Sequence, residues 1–455
     1  MDYQSKIAIL GFGLEGRAIF KYLKKHGYSN LTVCDGNVDL KKEMPQGVSV
    51  RLGKHYLEKL GDFDVIFRSP GIKYLEPSIQ MAVKSGKEVT SPTAFFLEQT
   101  PCDVVGVTGT KGKGTTCTLI YKMLKKAGKD CYLGGNIGKP AVDFLDKLKG
   151  GSLMVMEISS FQLQDLKVSP RYAVLLNTTT DHLDYHVDRG EYLQAKENLL
   201  AHQKRDSVAV LNLDYEYCGY YKPLIRGKKK LVSVKRKVRD GAYVDGGWVW
   251  YANGGKGKKL VRVGDVALVG SHNLENVMPA LVIAKELGVS DKVIVEVVKS
   301  FKGLEHRLEF VRDLKGVRYY NDSFSTTPET SMAAVDSFDE PTVLIAGGFD
   351  KGLTYDQWAV KILTKPSLEV VILVGDTADD MEKAIVNAEK KLGEAEGSPT
   401  KVLRRGDLDS AVMEAFALSR KGGVVVMSPA ASSFDQFENY KKRGEKFREL
   451  VGKLR

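Results

Sequence analysis

Cysteine is scarce in this sequence, and long apolar runs are absent. The 455 residues include five cysteines, with no Cys-x-x-Cys pair and no histidine cluster at zinc-ligand spacing, so neither zinc nor disulfides are expected. No apolar run is long enough to cross a bilayer, and the N-terminal residues lack the apolar stretch and cleavage site of a secretory signal. We therefore expect a cytoplasmic protein without membrane insertion.

A nucleic-acid-binding pattern is also lacking, although the chain is basic. The net charge is +11, and much of it lies in residues 222–239 and in the C-terminal helix. The first of these segments has no interleaved aromatic residues and no RNA-binding signature. A lysine-rich solvated face, or a basic surface that attracts a polyanionic nucleotide, accounts for the charge, and no nucleic-acid partner is expected.

The regular phosphate-binding loop, Gly-x4-Gly-Lys-Ser/Thr, is absent, but a related stretch is present. Residues 104–116 read VVGVTGTKGKGTT, which predicts a buried strand, a glycine-rich turn and the start of a helix. Such a turn directs backbone N–H groups at an anion, and Lys113 is expected to meet the terminal phosphates of ATP. Gly114 replaces the hydroxyl that would hold a metal after this lysine, and hydroxyls follow at Thr115 and Thr116.

A dinucleotide-type fingerprint lies near the N-terminus. A strand runs into Gly11-x-Gly13-x-x-Gly16, and Asp35 ends the next strand about twenty residues later, where a ribose-binding acid would lie. Alone, this pattern would favour a nicotinamide cofactor. It establishes only that a diphosphate or a sugar nucleotide could rest on the start of the helix.

Two polar residues of the segment 100–303, Glu157 and His182, are candidates for a metal-binding or catalytic role. Glu157 ends a buried strand beside the phosphate loop, which is a suitable place for a magnesium ligand. His182 lies between two carboxylates beyond the end of another strand, and we interpret it as catalytic. Lys196 lies in a helical stretch, where a lone lysine is normally a surface residue, so the pattern alone gives it no role.

Strands and helices alternate along the chain, which predicts an α/β protein of three domains. A Rossmann-like domain of residues 1–99 would precede a central P-loop-type ATPase α/β domain of residues 100–303 and a second Rossmann-like domain of residues 304–455. Ligands are expected at the carboxyl ends of the parallel strands. The strands predicted in the last domain span residues 317–320, 342–346, 370–374 and 423–427.

Taken together, the motifs resemble the Mur ligases of peptidoglycan synthesis. In chain order they are GFGLEG, SPGI, VTGTKGKGTT, GGNIGKP, MEISSFQL, NTTTDHLDYH, QAKENL, GSHNLENV, HRLE, NDSFSTT and SPAASSFDQFENYKKRGEKF. The Rossmann-like first domain and the ending DQFENYKKRGEKF are similar to the branch of the family that adds D-glutamate.

The resemblance implies an ATP-dependent amide ligase of cell wall biogenesis with Mg²⁺ as cofactor. Its substrates would be ATP, UDP-N-acetylmuramoyl-L-alanine and D-glutamate. The alanyl carboxylate would attack the γ-phosphate to give an acyl phosphate, and the amine of D-glutamate would then displace phosphate. A protein catalyses phosphoryl transfer mainly by positioning the reactants and neutralising their negative charge.

The resemblance also implies roles for single residues. Lys113, Asn136, His182 and Lys196 would be catalytic, with Lys196 carbamylated and Asn136 facing the substrate carboxylate and phosphates. Metal would be held by Thr115, Glu157, His182 and Lys196. ATP would be bound by Gly109, Thr110, Lys111, Gly112, Lys113, Gly114, Thr115, Thr116, Asn276, Arg307 and Asp322. The uridine-diphosphate end would be lined by Gly13, Leu14, Glu15, Asp35 and Ser69. The incoming amino acid would be surrounded by Thr326, Lys351, Ser433, Phe434 and Tyr440.

Three positions depart from the family pattern. Lys111 stands where the family usually has Asn or Asp, Gly114 replaces a hydroxyl, and Phe324 stands where a lysine is frequent. These departures leave open a related ligase that adds a different amino acid to a muramyl or folate-like substrate. A nicotinamide-dependent oxidoreductase and a basic nucleic-acid-binding ATPase are the alternatives of other classes.

Overall fold

The computed structural model describes residues 2–178, 185–268, 273–392 and 400–455. The chain forms two compact units, one of residues 1–267 and 271–300 and one that includes residues 301–455. The first unit contains two β-sheets and the second contains one. No helix in the described ranges combines the length and the apolar character needed to cross a bilayer.

The first sheet is fully parallel and has five strands in the order β3-β2-β1-β4-β5. From β1 the chain adds β2 and β3 on one side of the sheet and then β4 and β5 on the other side. The direction in which strands are added therefore reverses between β1 and β4, and a crevice opens there at the carboxyl ends of the strands. The strands are β1 (Ile7–Leu10), β2 (Leu31–Asp35), β3 (Ser49–Leu52), β4 (Val65–Arg68) and β5 (Glu88–Thr90). The helices are α1 (Leu14–Lys25), α2 (Pro77–Lys84) and α3 (Pro92–Gln99).

The central sheet has nine strands in the order β14-β13-β12-β11-β10-β9-β6-β8-β7. It is parallel from β7 to β12, and β13 and β14 extend it as an antiparallel meander. The strands are β6 (Asp103–Thr108), β7 (Cys131–Gly135), β8 (Leu153–Glu157), β9 (Tyr172–Leu175), β10 (Val208–Asn212), β11 (Lys228–Ser233), β12 (Gly241–Asp245), β13 (Trp248–Asn253) and β14 (Lys256–Arg262). The helices are α4 (Lys113–Lys126), α5 (Ser160–Leu163), α6 (Arg189–Glu197), α7 (Tyr217–Tyr221), α8 (Leu274–Glu286) and α9 (Asp291–Ser300).

Strand β6 lies between β8 and β9, so the strand order also reverses there. The loop after β6 therefore lies at the crevice where ligands of such sheets bind. Helix α4 follows this loop and packs through the apolar residues that the sequence pattern predicted, all fully buried: Leu119, Ile120, Met123 and Leu124.

The third sheet has six strands in the order β15-β16-β20-β17-β18-β19, of which only the β15–β16 pair is antiparallel. The strands are β15 (Glu309–Leu314), β16 (Val317–Asn321), β17 (Thr342–Gly347), β18 (Leu368–Val374), β19 (Lys401–Arg404) and β20 (Val424–Met427). The helices are α10 (Pro328–Val335), α11 (Asp356–Thr364), α12 (Ala378–Leu392), α13 (Leu408–Leu418) and α14 (Tyr440–Lys453).

The sequence predicted four of these six strands and missed β15 and β19. No position of either missed strand is fully buried, so both lack the continuous apolar run that marks a fully buried strand. The mostly parallel arrangement expected for this part of the chain is present.

Candidate active site

The turn between β6 and α4 needs glycine at two positions. Gly112 precedes α4 with φ +83°, and a Cβ there would lie 2.0 Å from Oδ1 of Asn276. Gly109 has φ +151°, and a Cβ there would lie 2.7 Å from Cβ of Leu176. Because both residues have positive φ and neighbours too close for a side chain, only glycine fits this turn. Asn276, on α8, therefore lies against this turn.

Two lysines converge on one carbonyl of this loop. Nζ of Lys113 lies 3.0 Å from the carbonyl oxygens of both Gly109 and Thr110. Nζ of Lys196 lies 3.5 Å from the same Gly109 oxygen, and Lys196 is only 1% exposed. Since Lys113 also begins α4, its charge adds to the positive end of the helix dipole. The loop therefore combines two ammonium groups with free helix amides, which is an arrangement for a polyanion.

Packing of α6 explains the burial of Lys196, which the helical pattern alone did not predict. The helix begins after Asp188, whose carboxylate accepts a hydrogen bond from the N–H of Glu191. One turn before the lysine, the hydroxyl of Tyr192 lies 2.8 Å from Oγ1 of Thr110, and its ring centroid lies 4.4 Å from Nζ of Lys196. Helix α6 thus presses its buried face against the phosphate loop, and Tyr192 joins the site although the sequence analysis assigned it no role.

Glu157 and Asn136 form a second polar pair at the end of the adjacent strand. Asn136 donates from Nδ2 to Oε1 of Glu157 at 2.9 Å, and its backbone N–H donates to the Glu157 carbonyl at 2.9 Å. Glu157 is 5% exposed. Burial, together with the nearby Glu157 carboxylate, holds the pKa of the Cys117 thiol well above its usual range. A buried carboxylate therefore lies close to α4 and its N-terminal lysine.

The oxygen donors at this edge fit a hard divalent cation. Glu157 supplies a carboxylate, and Thr115 supplies a partly buried hydroxyl in the first turn of α4. Oδ1 of Asn177, just beyond β9, is buried and has no hydrogen-bond partner among the described residues. Carboxylate, hydroxyl, amide and water oxygens are the ligands that Mg²⁺ takes. Asn177 was missed by the sequence analysis, although its place at the end of a strand beside β6 is a usable signal.

His182, predicted to be catalytic and a metal ligand, lies outside the described residues. Within the described ranges, no three His, Cys, Asp or Glu side chains gather to hold a metal. Lys111, predicted to contact ATP, is exposed, whereas Gly114 and Thr116 are buried in the first turn of α4. Oγ1 of Thr116 lies 3.4 Å from the Asn276 carbonyl oxygen, a long contact that again joins α4 to α8.

At the crevice of the first sheet, the glycine fingerprint has the expected conformation. Gly13 and Leu14 are exposed at the start of α1, with Leu14 at 75%. Gly16 is required because a Cβ would lie 2.0 Å from the Gly11 carbonyl oxygen. Ser69 donates from Oγ to that same oxygen at 2.7 Å. Ser69 therefore supports the fingerprint turn while it lies at the predicted sugar-nucleotide edge.

Asp35 has a similar supporting role. Its carboxylate accepts hydrogen bonds from the backbone N–H groups of Phe12, at 2.7 Å, and Asn37, at 2.8 Å. It thus ties the fingerprint turn to the end of β2.

Glu15 connects the first sheet to the central one. Its Oε1 accepts a hydrogen bond from Nε2 of Gln162 at 2.9 Å. Burial raises the pKa of Glu15 to about 7, the hydrogen bond from Gln162 opposes this rise, and the charge of Asp143 adds to it. Glu15 therefore keeps its proton to a higher pH than an exposed glutamate does.

Asp322, from the second unit, is a buried carboxylate that organises neighbouring loops. It is 4% exposed and accepts hydrogen bonds from Oγ of Ser325 at 2.5 Å, Oγ of Ser428 at 2.7 Å and the N–H of Leu308 at 3.0 Å. Burial raises the pKa of Asp322 to about 6 in spite of these hydrogen bonds. Arg307, which precedes Leu308, is exposed.

The residues predicted to surround the amino acid form two groups in this unit. In one group, Nζ of Lys351 lies 5.4 Å from the ring centroid of Phe434, which is 58% exposed, and Ser433 beside it is 1% exposed. In the other group, Tyr440 contacts the ring of Phe324. The N–H of Thr326 donates to the Phe324 carbonyl at 2.9 Å.

Comparison with known proteins decides the family. The Mur ligase MurD-like N-terminal domain matches residues 5–91, the Mur ligase middle domain matches residues 107–284, and the Mur ligase glutamate ligase domain matches residues 306–431. A relative from Acetivibrio thermocellus, named UDP-N-acetylmuramoylalanine–D-glutamate ligase, is 36% identical over 99% of this chain and 96% of its own length. The chain belongs to the Mur ligase family.

Other relatives agree with this assignment. A protein of the same name from Clostridium botulinum is 34% identical over 99% of this Mur ligase and 97% of its own length. Among solved structures, a MurF ligase from Thermotoga maritima in complex with ADP has a TM-score of 0.58 at 17% identity, covering 98% of this chain and 94% of that one. A UDP-N-acetylmuramate–alanine ligase from the same organism has a TM-score of 0.55 at 18% identity, covering 99% of both chains.

The expected resemblance to Mur ligases and the expected α/β fold class are confirmed. The domain limits at residues 99 and 303 and the site residues remain predictions.

Proposed function

We propose that this Mur ligase joins D-glutamate to the alanyl carboxylate of UDP-N-acetylmuramoyl-L-alanine while ATP is cleaved to ADP and phosphate. The observation that carries the proposal is the convergence of Lys113 and Lys196 on the Gly109 carbonyl at the switch point of the central sheet. The named relatives, similar over 99% of the chain, supply the identity of the amino acid and the sugar nucleotide.

The reaction has two steps. A carboxylate oxygen of the alanyl group attacks the γ-phosphorus, the bond to the β–γ bridging oxygen breaks, and ADP leaves. The amine nitrogen of D-glutamate then attacks the acyl carbon, loses a proton, and phosphate departs with the carboxylate oxygen that attacked. Lys113 and the amides of the first turn of α4 lower the free-energy cost of bringing these negative charges together.

Mg²⁺ is part of the proposal because the donor set suits it. Thr115 and Glu157 would hold it, and His182 and a carbamylated Lys196 are the further ligands that the family resemblance implies. When bound, the metal would neutralise charge on the transferred phosphoryl oxygens. Asn136, which holds the carboxylate of Glu157 in place, is proposed to face the substrate carboxylate.

The remaining contacts are assigned by segment. Gly109 to Thr116 and Asn276 would bind ATP together with Arg307 and Asp322. Gly13, Leu14, Glu15, Asp35 and Ser69 would line the uridine-diphosphate end. Thr326, Lys351, Ser433, Phe434 and Tyr440 would surround D-glutamate. The protein is proposed to act in the cytoplasm, without nucleic acid and without membrane insertion.

One alternative is favoured by a specific residue. Phe324 stands where the family pattern often has a lysine, so an aromatic ring in contact with Tyr440 replaces a lysine ammonium there. A ligase that adds a less acidic amino acid would be compatible with this change. The exposed Lys351 beside Phe434 supplies a cation for the side chain or α-carboxylate of glutamate and favours the main proposal.

Phosphate release from ATP with UDP-N-acetylmuramoyl-L-alanine and a panel of amino acids tests the proposal. We expect release that depends on D-glutamate and forms one amide product, with L-glutamate and neutral D-amino acids inactive. Equal turnover with L-glutamate, or a preference for another amino acid, would overturn the named acceptor. Turnover without the sugar nucleotide would overturn the whole assignment.

A further inference from the structure

The Phe324 ring contacts both a cation and a second aromatic ring. The Arg307 guanidinium carbon is 3.6 Å from the centroid of the Phe324 ring. On Phe324, the ring of Tyr440 makes an edge-to-face contact, with centroids 5.1 Å apart and planes at 88°. A guanidinium over an aromatic face is attracted by the negative face of the ring. Phe324 thus contacts both Arg307 and Tyr440.

The backbone that carries Arg307 is held in an unusual conformation. His306 and Leu308, on either side of it, have φ of +63° and +43°. Non-glycine residues keep such angles only where the surroundings impose them. Here the N–H of Leu308 donates to Oδ1 of Asp322 at 3.0 Å, and the N–H of Phe324 donates to the His306 carbonyl at 2.9 Å. The Arg307 backbone is therefore fixed from both sides.

The backbone that carries Tyr440 is held in place as well. Tyr440 begins α14, and its carbonyl accepts a hydrogen bond from Oγ of Ser323 at 2.7 Å. The preceding residue, Asn439, caps the helix by accepting from two backbone N–H groups at 3.0 and 3.1 Å. Because Tyr440 cannot shift without breaking these bonds, Phe324 has a firm support. Arg307 is exposed, whereas Phe324, whose ring contacts the Arg307 guanidinium, is partly buried.

We propose that Phe324 is a positioning residue that holds the Arg307 guanidinium, through its ring face, in the orientation that receives the phosphates of the nucleotide. This inference rests on the proposed function, which assigns ATP contact to Arg307.

The physical reason is geometric. A guanidinium binds phosphate oxygens best through two parallel N–H groups, which requires a defined plane. A long side chain at an exposed position samples many rotamers, and ordering it costs affinity. A ring that stacks on the guanidinium fixes its plane before the nucleotide arrives. A lysine at position 324 would instead bring a second positive charge against Arg307.

The test compares Phe324→Leu with Phe324→Tyr in the full chain. Binding of ADP is measured by calorimetry, and the KM for ATP, the KM for D-glutamate and kcat are measured in turnover. We expect Phe324→Leu to weaken ADP binding and raise the KM for ATP by about three- to tenfold. Phe324→Tyr, which keeps the ring face, should retain both values within about twofold.

A double-mutant cycle with Arg307→Gln separates positioning from folding. If the ring acts through the guanidinium, Phe324→Leu adds no further loss of ADP affinity once Arg307 is Gln. Additive losses, or equal losses in the Leu and Tyr variants, would overturn the proposal. A rise confined to the KM for D-glutamate would also overturn it, because Phe324 would then belong to the amino-acid site.

Phe310→Leu is the matched control. Nζ of Lys302 lies 5.4 Å from the Phe310 ring centroid, so this change also removes an aromatic face from beneath a cation in the same unit. ADP affinity should not change in this control. Failure of D-glutamate turnover in the unaltered enzyme would count against the proposed function. ADP binding needs no amino acid, so the ADP affinities of the variants would still decide this inference.

Discussion

Arg68 and Asp165 form a buried, two-bond ion pair that joins the first sheet to the central one. Nε of Arg68 lies 2.9 Å from Oδ2 of Asp165, and Nη2 lies 2.9 Å from Oδ1. The two side chains are 0% and 2% exposed. Arg68 also donates to the carbonyl oxygens of Ile72 and Phe161, each at 2.8 Å. The guanidinium therefore satisfies groups on both sides of the contact between the sheets.

Breaking this pair should destabilise the first unit strongly. Asp165→Asn leaves a buried guanidinium without its counter-charge, and we expect the free energy of unfolding to fall by about 3–5 kcal/mol. Urea denaturation followed by tryptophan fluorescence and circular dichroism measures the change. Glu43→Gln is the control, because it makes the same carboxylate-to-amide change in the exposed Arg17–Glu43 pair and should cost less than about 1 kcal/mol. Equal losses in the two variants would contradict this account.

Glu15 should make stability fall as pH rises towards neutrality. Its folded-state pKa of about 7 exceeds the ordinary value of 4.5 because of burial, so the folded protein keeps a proton that the unfolded chain releases. The free energy of unfolding should therefore decrease between about pH 4.5 and pH 7 by an amount of order 1–3 kcal/mol. Glu15→Gln keeps an oxygen for the Gln162 amide and removes the titration.

We expect Glu15→Gln to match the unaltered protein at about pH 5 and to be more stable at about pH 8. Thermal unfolding at several pH values gives the comparison. The control, Glu216→Gln at an exposed position, should show no pH-dependent difference. A Glu15→Gln variant that is less stable at the higher pH would show that the carboxylate is favoured by its site.

Gly112→Ala should damage the phosphate loop. The new methyl group would lie 2.0 Å from Oδ1 of Asn276 and would stand at φ +83°, so the Asn276 side chain must leave its place and the turn is strained. We expect ATP affinity to fall by about tenfold or more. Gly128→Ala is a matched control, because Gly128 also has positive φ, +74°, but has open space where the methyl group would be. The account fails if both variants bind ATP equally well.

Lys196→Met should abolish turnover without unfolding the protein. Most of the apolar chain is retained, while the nitrogen beside the Gly109 carbonyl, which would carry the proposed carbamate, is lost. By analogy with the loss of one charge-stabilising group, kcat should drop by about 10²- to 10³-fold. Lys204→Met, which changes an exposed lysine, should leave kcat unchanged. A Lys196→Met enzyme with normal kcat would place this lysine outside the reaction.

Local patterns predicted the phosphate loop and the glycine fingerprint because each is contained in one strand, one turn and one helix start. The residues next to them in sequence are enough to predict the positions of Lys113, Gly112 and Gly16. Glu157 was predicted for the same reason, since a strand end is readable from an apolar run. The strand order then brings these ends together, as parallel sheets require.

Tertiary packing decided what the sequence alone could not predict. Lys196 is buried because α6 packs on a loop about ninety residues earlier, a contact that no helical pattern contains. The ion pair of Arg68 with Asp165 joins residues that are distant in sequence, so no local pattern predicts it. The stack of Arg307 on Phe324 likewise joins separate loops. The role of Lys196 was therefore predicted only from the family resemblance, and the Arg68–Asp165 and Arg307–Phe324 contacts were not predicted.

The most direct test of the acyl-phosphate route is an isotope transfer. The alanyl carboxylate of UDP-N-acetylmuramoyl-L-alanine is labelled with heavy oxygen, and the phosphate released in the presence of ATP and D-glutamate is analysed by mass spectrometry. Because a carboxylate oxygen attacks phosphorus and leaves with it, the account predicts one labelled oxygen in each phosphate. Release of unlabelled phosphate at the same rate as amide formation would contradict it.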